Sequence, residues 1–129
     1  MAKIDLLYKE LSYKIVGIAY EVHNILGPGH KEKVYQAAFE ELLKREKVNF
    51  KKQVYVPLMF NSKVIGKNFI DLIVDDKIVI ELKSSDRITK FHMEQTIHYL
   101  KYTGHQLGLL ILFSTTQVVC KRVLNLYQQ

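Results

Sequence analysis

Apolar residues recur at Leu7, Leu11, Ile15, Ile18, Val22 and Ile25, the stripe of an amphipathic helix over about residues 4–26. Gly27-Pro28-Gly29 ends it. A second helical pattern runs over about 30–47, with Tyr35, Ala38, Phe39 and Leu42 on one face and Glu32 one turn before Tyr35 on the same side. The period then changes from helical to alternating. Val54, Val56 and Leu58 alternate with other residues, Asn61-Ser62 interrupts, and 64–74, 77–83, 107–113 and 118–126 read as strands. Between the third and fourth of these β segments lies a third helical stretch, about 86–102, stopped by Gly104. The order ααβββαββ predicts an α/β sandwich, a central mixed sheet flanked by helices. No repeat, low-complexity tract or linker divides the chain, so residues 1–129 are expected to form one domain.

Composition narrows the class. The chain has 129 residues, 48% apolar and 25% charged, with six Gly and two Pro, which is enough to build a core without covalent staples. One cysteine, Cys120, excludes an internal disulfide framework and a thiolate zinc site. The start of the chain lacks a signal-peptide core and no run of about eighteen apolar residues occurs, so a soluble, cytoplasmic protein with no membrane partner is expected. Nineteen Lys and Arg against thirteen Asp and Glu leave a charge of +6, which attracts polyanions without naming one.

The segment from Phe69 to Lys83, FIDLIVDDKIVIELK, holds the most chemistry. A two-residue loop at Asp75-Asp76 would place Lys77, Glu81 and Lys83 on the face carrying Ile70, Leu72 and Val74. A three-residue loop, Asp75-Asp76-Lys77, pairs Val74 with Ile78, Leu72 with Ile80 and Ile70 with Leu82, and makes one face wholly apolar. That register is the one expected. It sets Asp71 across from Glu81, with Cβ atoms about 4.5–5.5 Å apart, and Lys83 points the same way.

Two carboxylates at that separation repel unless a cation lies between them, and a hard cation such as Mg²⁺ binds through one or two carboxylates plus water and phosphate oxygens. Asp71 and Glu81 are therefore candidate metal ligands, and the Lys83 ammonium is a candidate for stabilising charge that develops on phosphorus. Phosphodiester hydrolysis suits this trio. Without a metal, the same residues would form an ordinary cross-strand ion pair worth about 0–1 kcal/mol. Arg87 and Lys90 follow closely enough to reach a phosphate backbone.

Asp71, nine intervening residues and then Glu81-Leu82-Lys83 resemble the PD-(D/E)xK nuclease superfamily. Upstream, Gly29-His30-Lys31-Glu32-Lys33-Val34-Tyr35 fits G-x-x-E-x-x-Y, and VHNILGPGHKEKVYQ is similar to the signature of the small GxxExxY proteins, a branch of that superfamily. Ile70 stands where the superfamily has Pro, and His30 and Lys31 stand where this branch more often has apolar residues. The resemblance extends over about residues 16–124. It implies a restriction-endonuclease-like fold and a Mg²⁺- or Mn²⁺-dependent nuclease cleaving nucleic acid, DNA foremost, in repair, recombination or defence. Glu32 would be a further acidic group, a metal ligand directly or through water, so that Glu32, Asp71, Glu81 and Lys83 form the catalytic set. Gln95 and Tyr99 match a Q-x-x-x-Y element, and they join Tyr35, Arg87 and Lys90 as supporting or nucleic-acid-binding residues. A homodimer is expected by analogy with small nucleases that pair to reach two strands. The alternative is a nuclease fold that binds nucleic acid or protein without cleaving.

Other groups point elsewhere. Gln95 shares a helical face with Ile88, Phe91, Tyr99 and Tyr102, where a buried amide needs a polar partner. His23, His30, His92, His98 and His105 lack zinc-ligand spacing; His98 and His105 read as surface or capping groups and His23 as a core histidine. Cys120 alternates with apolar residues and reads as a small core hydrophobe. Lys44, Arg45, Lys47, Lys51 and Lys52 read as a solvated helix end, and Tyr8, Tyr13 and Tyr20 as candidates for an exposed contact surface.

Overall fold

The computed structural model describes residues 7–126. Helices α1 (Lys9–Leu26) and α2 (Glu32–Arg45) precede strands β1 (Phe50–Phe60), β2 (Lys63–Val74) and β3 (Ile78–Lys83), and α3 (Lys90–Thr103) precedes β4 (Leu107–Phe113) and β5 (Val118–Leu124). The five strands form one sheet in chain order, antiparallel except for β3 beside β4. That parallel pair needs a crossover, which α3 supplies. The ααβββαββ order and the mixed α/β sheet are as the sequence pattern predicts.

In α1 the buried stripe is Ile15, Ile18, Ala19 and Val22. Ile25, expected on that stripe, is 70% exposed; the stripe continues from Val22 to Leu26, one turn on, which packs against the core before Gly27 ends the helix at φ 76°. The expected start of this helix, before residue 7, lies outside the described residues. In α2, Tyr35, Phe39 and Leu43 are fully buried. Both helices pack on one face of the sheet, over Leu72, Val74, Ile78, Ile80 and Leu82 together with Leu107, Leu109, Ile111 and Phe113. The other face carries a smaller core of Val56, Ile70, Ile73, Val79 and Val123 beneath Tyr99 and Leu100 of α3. Helix α3 approaches the sheet closely at Gly108, where an added Cβ would lie 2.8 Å from Thr96 Cγ2. That approach sets the height of α3 above β4.

The β2–β3 register is Val74↔Ile78, Ile73↔Val79 and Leu72↔Ile80, as the apolar pattern requires. One expected pair does not form. Ile70 does not continue the ladder to Leu82 or share a face with Leu72; it packs in the α3-side core with Ile73, an odd spacing that a regular strand cannot give. The strand is therefore rotated between Ile70 and Leu72, at Asp71.

Helix α3 begins at Lys90 rather than near Asp86, since the Asp86 carboxylate accepts hydrogen bonds from Thr115 N–H and Oγ1, and Thr89 supplies the N-cap. Its buried residues are Thr96, Tyr99 and Leu100. Phe91 and Tyr102, expected beside Gln95 on a buried stripe, are exposed. Strand β5 ends at Leu124, two residues short of the expected Leu126.

Candidate active site

The site forms where the sheet splits. Asp71 leaves both of its ladders: the β2–β3 pairing stops at Leu72, and the β1–β2 register passes from Lys52↔Leu72 to Val54↔Ile70, with Gln53 at φ 50° in the gap. Backbone groups freed in this way need other partners. The Asp71 N–H donates to Glu81 Oε2 at 2.9 Å, its carbonyl accepts from Gln36 Nε2 at 3.1 Å, and its own Oδ2 accepts from the Leu82 N–H at 2.8 Å. Three side chains replace the missing rungs.

Glu81 is 2% exposed and Asp71 half-buried. Burial raises both carboxyl groups above the ordinary range, Glu81 to about 8, and each is raised further by a neighbouring carboxylate. Lys83 Nζ lies 3.8 Å from Glu81 Oε1 and donates to Gln95 Oε1 at 3.2 Å. Asp71, Glu81, Lys83 and Gln95 are thus brought together. Tyr99 is buried beneath them, and its phenol is raised by burial and by the charges of Glu81 and Asp71.

Glu32 arrives from the other side. It is the first residue of α2, exposed, and its Oε2 accepts from the Ser84 N–H at 3.2 Å just past the end of β3. Ser84 Oγ also donates to the His30 carbonyl at 2.8 Å, so the turn before α2 is fastened to the strand that carries Glu81. Tyr35 secures the same turn from within. Its hydroxyl donates to the Gly27 carbonyl at 2.8 Å and accepts from the His30 N–H at 3.3 Å, while its ring stacks on Phe113 with centroids 4.2 Å apart. A fully buried ring supports the site rather than touching a ligand. Arg87 and Lys90 are exposed in and after the loop leaving β3, with Lys90 Nζ 3.9 Å from Glu94.

The donor set suits a hard cation: two carboxyl groups raised by burial, which a bound cation would favour in ionised form, with the Lys83 ammonium beside them. Asp71 and Glu81 each have one oxygen held by a backbone N–H and a second oxygen that could face an ion. The fit is that of a pair. Among the described residues, no group of three or more His, Cys, Asp or Glu could by itself hold a metal ion, and Glu32 stands at the rim of the site. Water and phosphate oxygens would complete the coordination, as they commonly do for Mg²⁺.

Sequence reasoning missed the second layer. Gln36 Nε2 also donates to Glu40 Oε2 at 3.0 Å, Gln53 Nε2 donates to Gln36 Oε1 at 3.2 Å, and Lys52 Nζ donates to Glu40 Oε1 at 3.4 Å. Its signal was the run Glu32, Gln36, Glu40 at i, i+4 and i+8, a polar stripe along α2 beside the apolar one. Elsewhere, His23, read as a core histidine, is half-buried with its Nε2 2.9 Å from the Ser114 carbonyl oxygen, and His98 is exposed. His105, read as a surface or capping group, is half-buried and meets Asp76 Oδ1 at 2.9 Å. Burial pushes the Cys120 thiol up to about 11, which fits an inert side chain. Arg45 forms a two-pronged pair with Glu21 at 2.7 and 2.8 Å. Tyr13 and Tyr20 are exposed, whereas Tyr8 packs against the core. No helix among the described residues is long and apolar enough to cross a membrane.

A mixed sheet between helices, with an acid at a break in one strand and Glu-Leu-Lys on the next, defines a nuclease-type α/β domain. The chain belongs to the PD-(D/E)XK nuclease superfamily, whose family model matches residues 9–123. The fold is similar to the crystal structure of SSO0001, with a TM-score of 0.55 and 22% identity over 91% of this chain. The chain spans 60% of the length of that protein. No curated protein matches it.

Proposed function

We propose that this domain is a divalent-metal-dependent phosphodiesterase of the GxxExxY branch, acting on nucleic acid, with DNA as the substrate and repair, recombination or defence as its setting. The observation that carries the reading is the close pair of a half-buried Asp71 and a buried Glu81 with Lys83 beside it, since two raised carboxyls next to one ammonium are poorly explained as a surface ion pair. Asp71 and Glu81 would hold Mg²⁺ or Mn²⁺, with Glu32 reaching it through water. Bound there, the ion would supply Lewis-acid polarisation of a phosphoryl oxygen.

The chain's own groups do the rest. Lys83, aimed by Gln95, places a positive charge where negative charge grows on the phosphoryl group. Tyr99 and Tyr35 fix the supporting elements, and Arg87 and Lys90 attract the polyanion backbone along the loop. Pairing of two copies would bring two such sites to the two strands of a duplex.

Calorimetry with Mn²⁺ on the wild type and Asp71→Ala, followed by digestion of plasmid and single-stranded DNA and of RNA, tests the reading. Metal-dependent cleavage that vanishes in Asp71→Ala is expected. Metal binding with no cleavage of any nucleic acid would overturn catalysis in favour of a binding module, and light scattering reads the oligomeric state.

A further inference from the structure

Helix α3 opens with a capping box in which the returning acceptor is an imidazole. Thr89 Oγ1 accepts from the His92 N–H at 3.1 Å, and the Thr89 N–H donates to His92 Nδ1 at 3.2 Å. The usual residue at this position is Glu or Gln, whose side-chain oxygen receives the N-cap N–H. A histidine does the same with one ring nitrogen and keeps the other. A backbone N–H can only donate, so Nδ1 must carry a lone pair, and the single proton of the uncharged ring resides on Nε2. Protonating Nδ1 would set one N–H against another and break the cap. Burial and the nearby Lys83 charge also hold this imidazole below its usual range.

The free end of the ring belongs to the site. His92, Gln95 and Tyr99 are spaced i, i+3 and i+7 along α3, on the side that holds Lys83 through Gln95. The charges of both Lys83 and Glu32 act on the ring. His92 is half-buried, and its Nε2 has no hydrogen-bond partner among the described residues. Resting on the phosphodiesterase reading above, we propose that His92 Nε2–H is a hydrogen-bond donor to a non-bridging phosphate oxygen of the nucleic-acid backbone, seating it between α3 and the Asp71–Glu81 pair, and is not a metal ligand. A ring with Nδ1 occupied by the cap and Nε2 protonated has no lone pair left for a cation. Its N–H makes a charge-assisted bond to an anionic oxygen without adding a second positive charge beside Lys83.

The discriminating variant is His92→Ala, which removes the donor together with its half of the cap; Thr89→Ala weakens the cap but leaves the ring, and His92→Gln keeps both a capping oxygen and a side-chain N–H donor. His92→Gln is expected to melt with the wild type and bind Mn²⁺ equally well. His92→Ala should bind a DNA oligonucleotide, measured in Ca²⁺, about ten- to a hundredfold more weakly, the range for a hydrogen bond to a charged group, whereas Thr89→Ala should not, and His92→Gln should recover part of the loss. Nitrogen-15 spectra of the wild type should show His92 protonated on Nε2 alone at neutral pH, with that resonance moving when oligonucleotide is added. Unchanged oligonucleotide affinity in His92→Ala, an equal loss in Thr89→Ala, weakened Mn²⁺ binding in His92→Gln, or a ring protonated on Nδ1 would each overturn the assignment. If the wild type bound no nucleic acid in the presence of any divalent cation, the phosphodiesterase reading would fall and this one with it; if wild type and His92→Ala bind and cleave alike, only the role of His92 falls.

Discussion

Asp71 and Glu81 complete each other's strands: the Asp71 N–H donates to Glu81 Oε2, and the N–H following Glu81, that of Leu82, donates to Asp71 Oδ2. Both carboxyl groups therefore have a structural role that opposes their electrostatic one, because the bonds that fix the strands hold two acidic groups together with little water, which raises both above the ordinary range. The two contributions separate by substitution. Asp71→Asn keeps an acceptor for the Leu82 N–H and removes the charge, whereas Asp71→Ala leaves that N–H without its partner. In the absence of metal at pH 8, Asp71→Ala should be less stable than Asp71→Asn by about 1–3 kcal/mol, the cost of an unsatisfied buried donor. Asp71→Asn should in turn exceed the wild type. Urea denaturation of the three proteins checks the order, and both variants should bind Mn²⁺ weakly.

The same pair makes stability depend on pH in a direction opposite to most carboxylates. Glu81 is raised from 4.5 to about 8, first by burial and then by Asp71. Below the unfolded value both states hold the proton; between the two values the unfolded chain has released it and the folded one has not. The metal-free protein should therefore lose stability as pH rises through that window, and a divalent cation should reverse the loss by favouring the carboxylates. Melting temperatures from pH 4.5 to 8.5, with and without Mn²⁺, read this out. Glu81→Gln, which retains an acceptor for the Asp71 N–H, should flatten the profile. A melting temperature independent of pH in the metal-free wild type would contradict the raised Glu81.

Gln36 bears on how the site keeps its shape. It donates to the Asp71 carbonyl and to Glu40, accepts from Gln53, and is itself buried. Gln36→Leu preserves most of the volume but removes all three bonds, and it should cost about 1–3 kcal/mol in urea. Activity should fall through misplacement of Asp71. The expected signature is weaker Mn²⁺ binding although Gln36 is no ligand; intact Mn²⁺ affinity in a folded Gln36→Leu would limit the residue to packing.

Most of this geometry was legible along the chain because one constraint, an apolar face, selects one hairpin register. Val74, Leu72, Ile78 and Ile80 had to share a side, and Asp71 was thereby set against Glu81. What the alternation could not convey is the rotation at Asp71 that sends Ile70 to the opposite core. The rotation depends on side-chain to backbone bonds from Gln36 and Glu81, and polar residues at helical spacing carry no preference for such distant partners. The start of α3 was misplaced for a similar reason. Asp86 resembles an N-cap in sequence, yet its carboxylate is taken by Thr115, twenty-nine residues away, leaving the cap to Thr89.

Lys83 provides the sharpest separation of binding from catalysis. Its ammonium lies near Glu81 and is held by Gln95, so it both eases the burial of the carboxylates and occupies the position from which charge on a phosphoryl group would be stabilised. Lys83→Met keeps the apolar stem and removes the charge. Metal affinity should be retained or improved, since a competing cation leaves the pocket, while the cleavage rate should drop by about 10²–10³, as for loss of one charge-stabilising group in other enzymes. Gln95→Ala leaves the charge but not its tether, and it should lower kcat less than Lys83→Met does, with Mn²⁺ binding unaltered. Single-turnover cleavage at saturating Mn²⁺ measures both. A Lys83→Met protein that cleaves at the wild-type rate would remove Lys83 from the chemistry and leave it as the partner that steadies a buried pair of acids.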